Sequence, residues 1–143
     1  MRWPAISLVL AAGVLGSALV GRPATGASPV AAVPFTTAQA EEGAVIYGER
    51  CALCHGARLE GAYETPALTG KFVANWARRP VGDLAAYLGR AMPQSAPGTL
   101  TPADTTRLVA YLLAANGYPA GARALPDDAA ALAMAMPPPP PPR

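Results

Sequence analysis

Two thiols and an imidazole stand within one short stretch, Cys51-Ala52-Leu53-Cys54-His55, and they are the only cysteines and the only histidine of the chain. C-x-x-C-H is the spacing by which a c-type haem is attached covalently to a polypeptide. The thiols can form thioether bonds to the two vinyl groups of the porphyrin, and the adjacent imidazole can reach the iron from one face of the ring. Three other chemistries compete for the same residues. A structural zinc site takes four N or S ligands, and only three are supplied, so zinc requires a carboxylate or a second subunit. A thioredoxin-like pair sits at the start of a helix in a βαβ unit, and no strand pattern lies nearby. A plain disulfide across two intervening residues closes so small a loop that it constrains the unfolded chain little.

The elements that must position this motif are helical. Thr36-Thr37-Ala38-Gln39 has the form of a capping box, with Thr36 capping the helix start and Gln39 reaching back. The first helix is therefore expected over Thr37 to Arg50, with Gly43, Tyr47, Cys51 and Cys54 on one face. A glycine inside a helix costs about 1 kcal/mol relative to alanine, which points to a packing role for Gly43. A polar loop follows from Gly56 to Tyr63 and ends in Glu64-Thr65-Pro66-Ala67-Leu68. Lys71 to Arg78 is a short, weakly helical stretch carrying Phe72 and Trp76, and Pro80 interrupts it. Val81 to Ala91 is a better helix, with Leu84, Leu88 and Met92 along one stripe. Pro93 disfavours the α conformation at Met92, so the helix stops there and a loop continues to Leu100. Thr101 then caps a last helix with Pro102 at its first position and Asp104 near its positive end. Its expected buried face is Leu108, Tyr111, Leu112 and Ala115, and Asn116-Gly117 is an αL stop. No repeat and no convincing strand appears.

At 143 residues the chain has room for one domain. Its 52% hydrophobic content overstates the core, because much of it is alanine or lies near the N-terminus. The formal charge of +2 comes from Arg2 and Arg22, since from Glu41 onward basic and acidic side chains balance. Without a basic face, nucleic acid is not an expected partner. Residues 1–27 have the form of a secretory signal: Arg2, then an uncharged run from Ala5 to Val20, then small residues. That run is shorter than the roughly 18 residues of a membrane span, so cleavage near Thr25-Gly26-Ala27 is expected, with membrane attachment only if the segment is retained. Residues 28–35 form a proline-bearing linker, 36–118 the folded domain, and 119–143 a Pro/Ala-rich tail. In that tail Asp127 to Met134 is expected to offer at most a turn or two of helix, and its polyproline end to be disordered.

The order of these features resembles class I cytochrome c domains: C-x-x-C-H after a first helix, Pro66-Ala67-Leu68, Trp76, Met92-Pro93 in a loop, and a closing amphipathic helix. The likeness covers Thr36 to Gly117. It implies an all-α fold of three principal helices with long loops around one covalent haem c, an iron cofactor. It assigns Cys51 and Cys54 to the thioethers and His55 to the proximal face. The resemblance also matches Pro66 to a proline whose carbonyl accepts the other ring proton of the histidine, Leu68 to a ring contact, and Trp76 to a tryptophan that bonds a propionate. Gly43 and Tyr47 would lie where the first helix crosses the last, near Tyr111. The segment from Met92 to Leu100 and the ending through Asn116-Gly117 resemble bacterial periplasmic monohaem cytochromes, which partner quinoprotein or other periplasmic dehydrogenases and terminal oxidases.

The sixth ligand separates a carrier from a catalyst. Met1 leaves with the signal, and Met134 and Met136 lie in the tail, where ordering a segment costs entropy. Met92 is the remaining methionine, and His/Met ligation raises the reduction potential. No nucleophile-base pair, phosphate loop or paired carboxylate appears, so the expected role is single-electron transfer in the periplasm. The alternative is a peroxidase-like catalyst or gas sensor with an open sixth position.

Overall fold

Helix α1 (Thr37–Arg50) begins where the sequence expects it, with Thr36 in an extended conformation and its hydroxyl accepting from the Gln39 amide at 3.1 Å. The computed structural model in which it is seen describes residues 33–128, 132–138 and 140. The expected signal and most of the linker lie outside the described residues. Only half of the expected capping box forms. The Gln39 side chain does not return to Thr36. It is 9% exposed, and it pairs with the Leu125 backbone, its Nε2 donating to the carbonyl and its Oε1 accepting from the amide, both at 2.9 Å. A buried amide must find partners, and the backbone of a distant segment satisfies both of its functions at once.

Four more helices complete the described residues: α2 (Ala52–His55), α3 (Lys71–Trp76), α4 (Val81–Ala91) and α5 (Pro102–Ala115). No strand occurs among them beyond two isolated bridges, so the fold is all-α. Helix α4 buries Val81, Leu84, Ala85 and Leu88 and ends at Met92, which is extended (φ −123°, ψ 151°) before Pro93. Helix α5 carries the complete capping box, Thr101 and Asp104 each bonding the other's backbone. It is buried more widely than one stripe predicts: Thr105, Thr106, Val109, Ala110 and Leu113 join Leu108 and Leu112, while Ala115 is exposed. A helix covered on several sides is a central element, and α5 packs on both α1 and α4.

The crossing of α1 and α5 depends on Gly43. A Cβ there would overlap the Arg107 carbonyl and stand 2.9 Å from Tyr111 Cβ. The Tyr47 and Tyr111 rings stack beside it, tilted, with centroids 5.1 Å apart.

Packing extends beyond the expected 36–118 on both sides. Val33 and Phe35 are buried, as are Leu125, Leu132 and Met136. The described residues after α5 are tied back at several points: Gly121 N–H to Phe35 O at 2.7 Å, the Thr106 hydroxyl to Asp127 Oδ1 at 2.6 Å, and the Tyr118 hydroxyl to Pro137 O at 2.9 Å. Met136 exchanges backbone hydrogen bonds with Arg78 and Arg79 (2.7 and 2.8 Å), and Val81 N–H donates to Met134 O at 2.9 Å. Composition alone suggested a loose tail because proline and alanine offer few anchors. Three large apolar residues and paired backbone groups supply them.

If this segment is core, Leu132→Ala in the full haem-loaded chain should cost about 2–5 kcal/mol. Urea unfolding measures it; a change within about 0.5 kcal/mol, the level of ordinary surface substitutions, would show that Leu132 does not pack.

Candidate haem site

Helix α1 does not run straight into the motif. It ends at Cys51 (φ −127°, ψ −35°), and a single turn, α2, carries Cys54 and His55. The Cys51 amide still donates to Tyr47 O and the His55 amide to Cys51 O, each at 2.9 Å, so the motif stays attached to the helix end. Cys51 is half-buried and Cys54 exposed. Burial pushes the Cys51 thiol above its ordinary pKa and Cys54 adds to the rise, against an opposing Arg50.

The loop after the motif is shaped to return to it. Gly56 and Gly61 both have positive φ (80° and 76°). A Cβ on Gly61 would lie 2.6 Å from Thr65 O and 2.7 Å from Ala67 N, so only glycine admits the fold-back there. The Gly61 amide donates to His55 O at 2.8 Å and the Leu68 amide to Leu59 O at 2.9 Å. These bonds bring the Pro66 carbonyl 2.9 Å from His55 Nδ1. A carbonyl can only accept, so this contact is a hydrogen bond when Nδ1 carries the proton, leaving Nε2 with its lone pair free for a metal.

His55, Cys51 and Cys54 lie in the wall of a cavity of about 890 Å³, within the roughly 300–1,000 Å³ of small-molecule and cofactor sites. Pro66, Leu68, Trp76 and Met92 line the same cavity, so the seven candidate haem-site residues come together in one place. Phe72, Leu88, Leu100, Leu108 and Leu112 complete a largely apolar lining, and Tyr87, Arg50 and Glu64 stand in it as well. This donor set suits an apolar macrocycle held through two thioethers. Met134 and Met136 are not among the lining residues. Helix α3 and helix α4 build one wall through an aromatic row, Phe72 to Trp76 at 6.4 Å and Trp76 to Tyr87 at 5.7 Å, with the Arg79 guanidinium 4.5 Å from the Trp76 ring. The Leu68 carbonyl accepts from Asn116 Nδ2 at 3.0 Å, which ties the loop after the motif to the end of α5.

Tyr87 and Arg50 went unnoticed as lining residues. Tyr87 lies three residues after Leu84 and so belongs near the stripe of α4, which was the available signal. Arg50 carried none beyond its position before Cys51.

Tyr47, 3% exposed, donates from its hydroxyl to Gly56 O at 2.5 Å. Burial, then Tyr111, Cys51 and Glu60, push its pKa from 10.0 to about 12. A phenol whose folded pKa is raised contributes stability below its unfolded pKa of 10.0 and loses it as the pH climbs toward about 12. Tyr47→Phe should therefore lower stability by about 1 kcal/mol at pH 8, and the gap to the parent should shrink between pH 10 and 12. Urea titrations of both proteins at several pH values test this; a gap that is constant with pH contradicts it.

Comparison with known proteins agrees with the geometry. A family model described as cytochrome c oxidase, cbb3-type, subunit III matches residues 38–112, more than half of the chain. The thiosulfate dehydrogenase of Stutzerimonas stutzeri (strain A1501) is 35% identical over 78 residues, 50% of this chain and 25% of that protein. The chain thus spans only about a quarter of that relative's length. Among solved structures, the sulfane dehydrogenase SoxCD from Paracoccus pantotrophus is similar with a TM-score of 0.46 and 24% identity, over 62% of this chain and 52% of that one. The matched segment holds the C-x-x-C-H motif and all but the last three residues of α5, and the chain belongs to this family of c-type cytochromes, its one C-x-x-C-H motif serving a covalently bound haem c.

Proposed function

We propose that this cytochrome is an exported carrier of single electrons with His55 and Met92 as axial ligands and both coordination positions filled. One observation carries this reading: the cavity that holds the attachment motif is also lined by Met92. The haem supplies a one-electron couple; the chain supplies attachment through Cys51 and Cys54 and orientation of His55 through Pro66. Leu68, Leu108 and Leu112 would contribute apolar walls against the ring, and Trp76 would be the residue to bond a propionate, the role that the family resemblance gives it. With a thioether on the second face, substrate does not reach the metal, and the protein acts by passing electrons rather than by transforming a bound molecule.

The donor we propose is a periplasmic dehydrogenase, of the quinoprotein or another type, and the acceptor a respiratory complex such as a terminal oxidase. Similarity to a thiosulfate dehydrogenase supports a dehydrogenase partner in general. A secretory signal over residues 1–27 would place the protein in the periplasm, where haem attachment of this kind is completed. Docking is led by apolar contacts: Leu53, at the cavity wall, is 97% exposed, and Lys71 is the only lysine in the sequence.

Met92→Ala should lower the reduction potential and let the ferrous protein bind carbon monoxide fast, whereas the parent should bind it only slowly. Potentiometry and absorption spectra measure both. A parent protein that is high-spin and binds carbon monoxide readily would favour the catalyst or sensor instead. For docking, electron-transfer rates with a purified dehydrogenase should change little between low and about 0.15 M ionic strength, where charge steering is screened beyond ~8 Å; a steep fall would mean that charges lead.

A further inference from the structure

The loop that connects α4 to α5 begins at the proposed sixth ligand, and what holds that loop decides how firmly the ligand is held. Its two ends are anchored, the Met92 amide donating to Leu88 O at 3.0 Å and Leu100 being 8% exposed. Between them, Pro93 to Thr99 are half-buried or exposed. A hydrogen-bonded series runs along this stretch: the Ala96 amide donates to Pro93 O at 2.9 Å, and the Thr99 hydroxyl donates to Ala96 O at 2.8 Å. Arg50, from the end of α1, meets the series at Thr99. It is the last residue of α1 and the neighbour of Cys51, and its guanidinium donates to the Thr99 hydroxyl through Nη2 and to Thr99 O through Nη1 at 3.5 Å. Arg50, Pro93 and Ala96 all line the haem cavity.

From this geometry we infer that Arg50 is a positioning residue for Met92, a latch that fastens the distal loop to the helix carrying the attachment motif. The inference rests on Met92 being the sixth ligand. A thioether is a neutral ligand on a single side chain, so an excursion of its loop releases it; a planar guanidinium that engages two acceptors of one residue restricts such excursions. Because α1 also ends at Cys51, the latch ties the loop to the segment to which the haem is covalently fixed. Loss of the latch should raise the population of the open loop, and an incoming ligand reports that population.

The experiment uses the full haem-loaded chain and stopped-flow binding of carbon monoxide to the ferrous form, with thermal unfolding recorded in parallel. Arg50→Ala and Thr99→Val should each accelerate binding roughly threefold to tenfold, the weight of a hydrogen bond or two. Thr99→Ser, which keeps the hydroxyl, should bind as slowly as the parent, and Arg50→Lys should fall between. In a Met92→Ala background, Arg50→Ala should produce no further acceleration, since Arg50 acts through Met92. Unchanged binding in both Arg50→Ala and Thr99→Val overturns the latch. Acceleration by Arg50→Ala alone, with Thr99→Val silent, also overturns it and assigns the arginine to the charge of the cofactor. If Met92→Ala itself fails to accelerate binding, the ligand assignment has failed, whereas acceleration by Met92→Ala without any effect of the latch variants refutes only the latch.

Discussion

The close approach of α1 and α5 at Gly43 is the constraint on which the other placements depend. The missing side chain lets the Arg107 carbonyl sit against the α1 backbone, and the Tyr47 and Tyr111 rings fill the space beside the crossing. Just past the end of α1, about two turns beyond Gly43, stands Cys51, and on α5 Leu108 and Leu112 line the same cavity. A β-carbon at residue 43 would force the helices apart and displace the motif from its apolar wall. The Arg107–Glu42 ion pair flanks the crossing, but a largely exposed pair contributes little, and backbone contact at Gly43 dominates.

A domain of this size encloses a cavity of about 890 Å³ where a larger protein would have side chains. Small domains bury a smaller fraction of their surface and commonly rely on a covalent or metal staple. The covalent haem c of this family meets that need while serving as the redox centre. The loops reflect the division of labour. The one after the motif is shaped by Gly61 and returns a carbonyl to His55, and the one after α4 begins at Met92 and lines the same cavity.

Outside the cavity, the chain ends close the structure. Gln39 in the first turns of α1 and Leu125 beyond α5 bond each other twice, and Met136 pairs with the backbone at Arg78 and Arg79. The Arg79 guanidinium in turn lies over Trp76, a residue of the cavity wall. Thus the described residues of the C-terminal segment reach the junction of α3 and α4, and none of them lines the cavity.

Local physics made much of this legible in the sequence. Thr36, Pro93 and the Thr101-Pro102 pair mark helix limits within a residue or two because capping and proline sterics act over one turn. C-x-x-C-H declares its cofactor because the chemistry needs those atoms adjacent. Long-range matters were decided by the tertiary structure. Gln39 has a local partner available in Thr36, yet burial beside Leu125 offers it two backbone bonds and wins. Leu132 and Met136 carry no periodic signal, since they are single anchors in an irregular segment. Arg50 is an ordinary helix-terminal cation until the fold brings Thr99 within reach. Sequence by itself determined the helices and the attached group, whose causes lie within a few residues; the meeting of His55, Pro66 and Met92 around one cavity was settled by folding, because it depends on how α1 crosses α5.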